Sequence, residues 1–235
     1  MNIAPIATTH SCFTEKFGIP RQPLLADASR ACIELLPPYS DPEAVAGLEQ
    51  HSHLWLTWQF HQVAGQWSAK VRPPRLGGNK KIGVFATRSP FRPNNIGLSV
   101  VRLIQVRLHP RVELIVAGAD LLDGTPILDI KPYIPYADSL PSATSELAER
   151  PPSPLTVDIP EHILRQAREY RDGMGTDLPQ LIQQVLGQDP KPAYQKPDPE
   201  RIYGMKLCGF DLQWCYRDGA IQVVGLNALD EGEDR

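Results

Sequence analysis

The sequence predicts a mainly β protein, with an N-terminal antiparallel β-barrel followed by a small C-terminal α+β domain. Three observations carry this. Up to about residue 140 the chain alternates short apolar runs with turn clusters and offers almost no amphipathic helix. Twenty-four prolines are too many for an all-helical protein of 235 residues. Beyond a Pro/Ser/Glu-rich stretch, Asp138 to Pro154, the texture changes to helical periodicity and then to strands. The expected division is residues 1–140 as barrel, 141–157 as linker, 158–228 as α+β domain and 229–235 as an acidic tail.

Taken in order, the expected barrel strands are Ile3–Thr9, Arg30–Leu35, Ser52–Phe60, Ile82–Thr87, Ile96–Val106 and Val112–Gly118, with one helical turn at Pro42–Gly47. Pro160–Arg171 reads as helix. Thr176 is the expected cap of a second helix, whose Leu178, Leu181, Ile182, Val185 and Leu186 share one face. Ile202–Leu207, Phe210–Tyr216 and Ala220–Leu226 read as strands, the last two joined at Asp218-Gly219, a strong hairpin signal.

Charge is distributed unevenly. The net charge is -3, yet Gln50 to Val112 holds no Asp or Glu and ten cations: Lys70, Arg72, Arg75, Lys80, Lys81, Arg88, Arg92, Arg102, Arg107 and Arg111. The rest of the chain carries 14 cations against 27 anions. A basic face on an acidic protein points to a polyanionic partner, most often nucleic acid, against the alternative of solvated surface charges. Within this window lies a stiff polar loop, Arg88 to Asn95, with Pro90 and Pro93 between two apolar runs. A second polar cluster, Asp120 to Tyr133, brings Asp120, Asp123 and Asp129 near Lys131 and Tyr133, and reads either as ligand-binding carboxylates or as turn caps.

Several classes are excluded. There is no GxGxxG, no P-loop and no GxSxG elbow. No apolar run is long enough for a membrane span, and Met1 to His10 does not read as a secretory signal. Cys12, Cys32, Cys208 and Cys215 are scattered without a CxxC pair, so reduced thiols in the cytoplasm are expected and no metal. His51, His53 and His61 share one parity, which on a strand would place them on one face as pocket lining or solvated side chains. Trp55, Trp58 and Trp67 read as core, with base stacking as the alternative.

Pro20-Arg-Gln-Pro23, Ser52-His-Leu-Trp55, Phe60-His-Gln62, Val71 to Asn79, Gly83-Val-Phe-Ala-Thr-Arg-Ser89, Arg92-Pro-Asn94, Asp123-Gly-Thr-Pro126, Asp129-Ile-Lys-Pro-Tyr133, Gln188-Asp-Pro190 and Pro192-Ala-Tyr194 occur in this order. The set resembles the bacterial tRNA-methyltransferase O family from about Ile3 to Leu226. The resemblance implies an S-adenosylmethionine enzyme on a β-barrel, acting on N6 of threonylcarbamoyladenosine at position 37 in the tRNA anticodon stem-loop, as a homodimer. It places Pro20, Arg21, Gln22, His61, Gln62, Arg88, Leu98, Leu121, Leu122, Asp123 and Gly124 around the cofactor. At the reacting centre Asp129, Tyr133 and Lys131 are the candidates. Asp129 or Tyr133 would take a proton, with His53 a further choice, and Lys131 or Arg92 would face the threonine carboxylate. Arg72, Arg75, Lys80 and Lys81 are expected on tRNA phosphates, joined by Arg92, Asn94, Asn95 and Tyr194 as substrate contacts. Two departures stand out: Asn95 where the family often has Pro, expected to loosen the loop, and Lys191 where it often has Arg. The competing classes are a non-catalytic RNA-binding barrel and a Mg²⁺-dependent hydrolase of small nucleotides.

Overall fold

Six antiparallel strands close into a barrel in the order β1 (Ala7–Ser11), β2 (Arg30–Leu35), β7 (Glu113–Ala117), β6 (Ile96–Arg107), β3 (His53–Gln59) and β8 (Pro126–Pro132). The computed structural model describes residues 3–73, 80–145, 153–191, 198 and 200–229. Period-2 patterning sets which side chains face inward. On β3, Leu54, Leu56 and Trp58 are buried and alternate with less buried neighbours. On β6, Gly97, Ser99 and Val101 face the same interior, with Trp58 opposite Gly97 and Leu56 opposite Ser99. Ile33, Leu114, Val116 and Ile127 complete the core from β2, β7 and β8. Irregular register between Leu103 and Gln105 lets β6 pair with β3 over its first half and β7 over its second.

β8 departs from expectation. The stretch 126–132 was expected to be a polar cluster, and it is instead the strand that closes the barrel against β1 and β3. Its flanking prolines and its Asp129 and Lys131 mimic loop composition, but Ile127 is fully buried. The expected strand Ile82–Thr87 is mostly not a strand. Only β5 (Ile82–Gly83) pairs, with β4 (Lys70–Val71), and Val84–Ala86 is a 3₁₀ turn. The Thr87 amide and hydroxyl both donate to the Val84 carbonyl, at 3.1 and 2.8 Å, which draws the backbone out of a ladder.

The second unit is a sheet in the order β10 (Tyr203–Leu207), β11 (Phe210–Arg217), β12 (Ala220–Ala228) and β9 (Val157–Asp158). α2 (Glu161–Arg168) and α3 (Leu178–Gly187) pack with it, after a one-turn α1 (Pro135–Asp138) at the end of the barrel. The five apolar positions expected on one face of α3 are all buried. Its cap is Asp177 rather than Thr176, the carboxylate accepting from the Gln180 amide at 3.0 Å. Asp218 and Gly219 both take positive φ, as the β11–β12 hairpin requires, and Cys208-Gly209 makes the same kind of turn between β10 and β11.

The two units are not separated along the chain. Phe13, Ala26 and Ala28, from the long β1–β2 connection, are buried in the second core with Ile182, Leu212 and Trp214. Phe17 stacks on Trp214 at 6.1 Å. Gln184 on α3 accepts from the Ala28 amide at 2.9 Å and donates to Asp27 at 2.5 Å. The backbone of Lys206 donates to Glu15 at 3.0 Å. Replacing Gln184 with Ala leaves the Ala28 N–H and the Asp27 carboxylate short of a partner. Urea unfolding is expected to show a loss of about 1–3 kcal/mol. An unchanged midpoint would mean that this junction contributes nothing to stability.

Candidate active site

A cavity of about 630 Å³ opens at one mouth of the barrel. The mouth of a barrel is a common ligand site, and roughly 300–1,000 Å³ is the usual size for small molecules. Its walls come from the end of β3 (Trp58, Gln59), the following 3₁₀ turn (His61, Gln62), the start of β6 (Ile96 to Leu98) and the β7–β8 connection (Asp120, Leu122, Thr125). The β1–β2 connection contributes Lys16 and Ile19 to Gln22, and the loop before β6 contributes Arg88, Phe91 and Arg92.

The polar floor is a hydrogen-bonded chain. Trp58 Nε1 donates to Ser99 Oγ at 3.0 Å, and Ser99 Oγ donates to Asp120 Oδ1 at 2.6 Å. Strand parity dictates this, because Ser99 points into the barrel and is fully buried. Gly97 makes room for the indole, since a Cβ there would lie 2.4 Å from the Trp58 ring. Burial pushes the Asp120 carboxyl up to about 6, against the opposing hydrogen bonds from Ser99 and its own amide and the charge of Arg88. Asp120 has no cation at salt-bridge distance among the described residues.

Arg88 sits across the cavity, exposed, with Nη1 donating to the Gln22 side-chain oxygen, so the two loops expected around a cofactor are tied to each other. Leu98, 55 % exposed, and Phe91 supply an apolar rim. Of the residues expected around the cofactor, Pro20, Arg21, Gln22, His61, Gln62, Arg88, Leu98 and Leu122 come together here. Leu121 is buried under the barrel end. Asp123 and Gly124 form the turn beside the cavity, where Asp123 Oδ1 accepts from the Ser11 amide at 2.9 Å.

The three candidates for the reacting centre lie outside this cavity. Asp129 and Lys131 point the same way from β8 and pair with each other on its outer side. Tyr133 packs on Trp55, ring centres 5.7 Å apart, and Trp55 lines the cavity where Tyr133 does not. The three aspartates of the second cluster therefore diverge into a cavity carboxylate, a turn cap and an outward ion pair. The expected histidine face also breaks up, because His53 alone lies within β3 while His51 precedes it and His61 begins a 3₁₀ turn.

Arg92, half-buried, donates to the carbonyls of Thr87 and Val84 at 2.7 and 3.3 Å, so it braces the loop while lining the cavity. Asn94 is exposed at the loop tip. Asn95 is only 3 % exposed, and its amide is spent on Gln66 O, Pro90 O and the Gly65 N–H at 2.8–3.0 Å, so it holds the loop and does not reach a substrate. Its φ of 49° is one that proline cannot adopt. The expected loosening at this position is thus reversed: Asn95 ties the loop down.

Lys80, Lys81 and Arg72 are exposed on and beside the β4–β5 hairpin, whereas Arg75 and Tyr194 lie outside the described residues. The acid-free window is not acid-free in space. Arg107 pairs with Glu113 at 3.8 Å and Arg111 pairs with Glu34. Ser99 carries little signal in the sequence, being a single hydroxyl in the apolar first half of β6.

Replacing Gly97 with Ala is expected to displace Trp58 and cost about 1–3 kcal/mol through overpacking. Urea unfolding with tryptophan emission reads both effects. Unchanged stability with unchanged emission would show that the indole does not depend on Gly97.

The model of the tRNA-methyltransferase O N-terminal domain matches residues 8–139, and that of the corresponding C-terminal domain matches residues 152–229. The chain is 52% identical over 231 residues to a Pseudomonas aeruginosa protein named putative S-adenosylmethionine-dependent methyltransferase RcsF, covering 97% of this chain and 99% of that one. It is 42% identical over 229 residues to the tRNA (adenine(37)-N6)-methyltransferase of Escherichia coli, covering 94% and 95%. The crystal structure of TrmO from Pseudomonas aeruginosa superposes with a TM-score of 0.82 at 43% identity, over 97% of this chain and 98% of that one. Both halves of the fold and the barrel mouth therefore fall within one matched pattern, and the chain belongs to the tRNA-methyltransferase O family.

Proposed function

We propose that the protein transfers a methyl group from S-adenosylmethionine to N6 of threonylcarbamoyladenosine at position 37 of a tRNA. An S-adenosylmethionine-dependent methyltransferase acting on tRNA adenine follows from family membership and relatives of 42–52% identity. The threonylcarbamoyl substrate is our reading. The observation that carries it is the barrel-mouth cavity, with Arg88 on one wall, an apolar rim and a buried carboxylate on its floor.

The residues present fit the cofactor. Arg88 has donors beyond its Gln22 contact that suit a carboxylate, Leu98 and Leu122 suit an apolar chain or an adenine face, and the volume is sufficient. Pro20 to Gln22, His61 and Gln62 would enclose it from the side of the β1–β2 connection. When bound, S-adenosylmethionine supplies an electrophilic methyl on a good leaving group. The protein's task is then alignment and exclusion of water. Gln22 orients Arg88, and Arg92 and Asn95 hold the intervening loop, so both walls of the cavity are set before ligand arrives. The exposed Lys80, Lys81 and Arg72 suit tRNA phosphates, and the exposed Phe91 and Leu98 at the rim support a second subunit or the tRNA itself closing over the opening. We take the working unit to be a cytoplasmic homodimer that engages the anticodon stem-loop.

The ureido N–H of the modified base is more acidic than a plain exocyclic amine, while its lone pair is delocalised. Its threonine carboxylate adds a charge for Arg92 or Lys131 to meet. Radiolabelled methyl incorporation is expected with threonylcarbamoylated tRNA and to be negligible with unmodified transcript. Equal rates would leave a general adenine-37 N6-methyltransferase as the better description. Arg88→Ala is expected to weaken calorimetric binding of S-adenosylmethionine by about 2–5 kcal/mol with the fold retained. Wild-type affinity would remove Arg88 from the cofactor site, and binding that is absent in the wild type would favour a non-catalytic RNA-binding barrel.

A further inference from the structure

We propose that Asp120 is the proton acceptor of the reaction, set in place by Ser99 and Trp58 at the floor of the barrel mouth. This rests on the functional reading above and names the group that activates the substrate nitrogen.

A poor nitrogen nucleophile must lose its proton as the methyl arrives, so a base has to reach the reacting atom. The groups the sequence offers for this are otherwise engaged. Asp129 is ion-paired with Lys131 on the outer side of β8, and the Tyr133 ring packs on Trp55. His53 shares a hydrogen bond with Ser52 at 2.9 Å, and Asp123 caps the turn at Ser11. None of these lines the cavity, and Asp120 does.

Asp120 also has the attributes of a built base. Its Oδ1 is fixed by the Ser99 hydroxyl, which is itself oriented by the Trp58 indole. Trp58 is fixed by packing on Gly97 and Phe60, the latter with ring centres 4.2 Å apart. The order of donors matters. The indole N–H can only donate, so Ser99 Oγ accepts from it and sends its single proton to Asp120. The carboxylate is thus held in one rotamer as an acceptor. Burial raises it to about 6, so it is ionised at neutral pH and more basic than an ordinary carboxylate.

The step balances without a further reactant. The N6–H bond breaks, its electron pair forms the N6–methyl bond, the methyl–sulfur pair remains on sulfur, and the proton ends on Asp120. Asp120 returns it to solvent through the mouth after product leaves. Lys16, Arg21, His61, Arg88 and Arg92 are the other charged or titratable side chains around this cavity, and among them His61 is the competing base.

The test uses full-length protein and threonylcarbamoylated tRNA at saturating S-adenosylmethionine, with calorimetric binding of S-adenosylhomocysteine as a separate readout. In the wild type, turnover is expected to fall as pH drops through about 6, because protonated Asp120 cannot accept. Asp120→Asn is expected to lower turnover by about 10²-fold or more and to abolish that acid limb, with the product cofactor bound within about twofold of wild type. Ser99→Ala removes a hydrogen bond that favours the charged form, so the limb is expected to move to higher pH while Asp120 still acts. A role confined to packing would not shift it.

Three results would overturn the assignment: wild-type turnover in Asp120→Asn, an acid limb that survives there and disappears in His61→Gln, or product-cofactor affinity lowered tenfold or more, which would make Asp120 a cofactor ligand. If the wild type itself fails on threonylcarbamoylated tRNA, the functional reading is what fails. The Asp120 titration is then followed directly by carboxyl-carbon NMR, where a midpoint near 4 in the wild type would overturn the prepared base.

Discussion

The β1–β2 connection is shared by two hydrophobic cores, and the site depends on that sharing. Residues 12–29 leave the barrel after β1, bury Phe13, Ala26 and Ala28 in the second core, and return as β2. Between these anchors Pro20 to Gln22 is held at the barrel mouth. Gly18, at φ 91°, lies so close to Met205 that a Cβ would stand 2.6 Å from its sulfur, so a side chain here would be strained and would displace Met205. The second unit therefore shapes the cavity without lining it. It fixes one wall of a cavity whose other walls belong to the barrel, and Gln22 passes that restraint on to Arg88.

Closure of the barrel supplies the complementary restraint. A closed antiparallel sheet leaves no free edge, and its strands cannot slip register without turning apolar side chains outward. Ser99 is therefore locked inward beside Trp58, and a hydroxyl in that place needs partners. The indole and the Asp120 carboxylate provide them. Burying a carboxylate is costly. Arg88 across the cavity offsets part of that cost from a distance, and Ser99 offsets part by direct contact. The result is one anion beneath a mouth ringed by Lys16, Arg21, Arg88 and Arg92, an arrangement that favours anionic ligands while keeping a proton acceptor at the floor.

Much of the barrel was legible because its strands obey period 2. Arg30–Leu35 and Ile96 onward show it, and α3 shows the 3.6 period on five apolar positions. β8 was not legible, because prolines at both ends and Asp-Gly before it carry turn chemistry, and its pairing partners are remote in sequence. The candidate site was legible wherever motifs lay on loops that converge, as with Pro20 to Gln22, His61-Gln62 and Arg88. It was not legible where function depends on which way a strand residue points. Asp129 and Asp120 look alike in the chain, yet strand parity sends one outward to Lys131 while the turn after β7 puts the other in the cavity. Asn95 was misleading for a related reason. A polar residue just after two prolines resembles a ligand contact, and only its positive φ and three hydrogen bonds reveal a brace.

Apart from Arg102 on β6 and Arg75 outside the described residues, the cations of the window fall in space into three groups. Arg107 and Arg111 serve the barrel, pairing with Glu113 and Glu34 from outside the window. Arg88 and Arg92 serve the cavity, one tied to Gln22 and the other to loop carbonyls, so both are oriented before a ligand arrives. Lys70, Arg72, Lys80 and Lys81 remain exposed on and beside the β4–β5 hairpin. This last group is the one we propose to exchange counterions for RNA phosphates. Since the rest of the chain carries 27 anions against 14 cations, this hairpin is where our reading places an approaching polyanion. The hairpin and the cavity loop meet where the Val84 amide donates to Ala69 and the Ser68 amide to Phe91. The cations proposed to hold an RNA backbone are thereby joined to the cavity loop in one short stretch of chain.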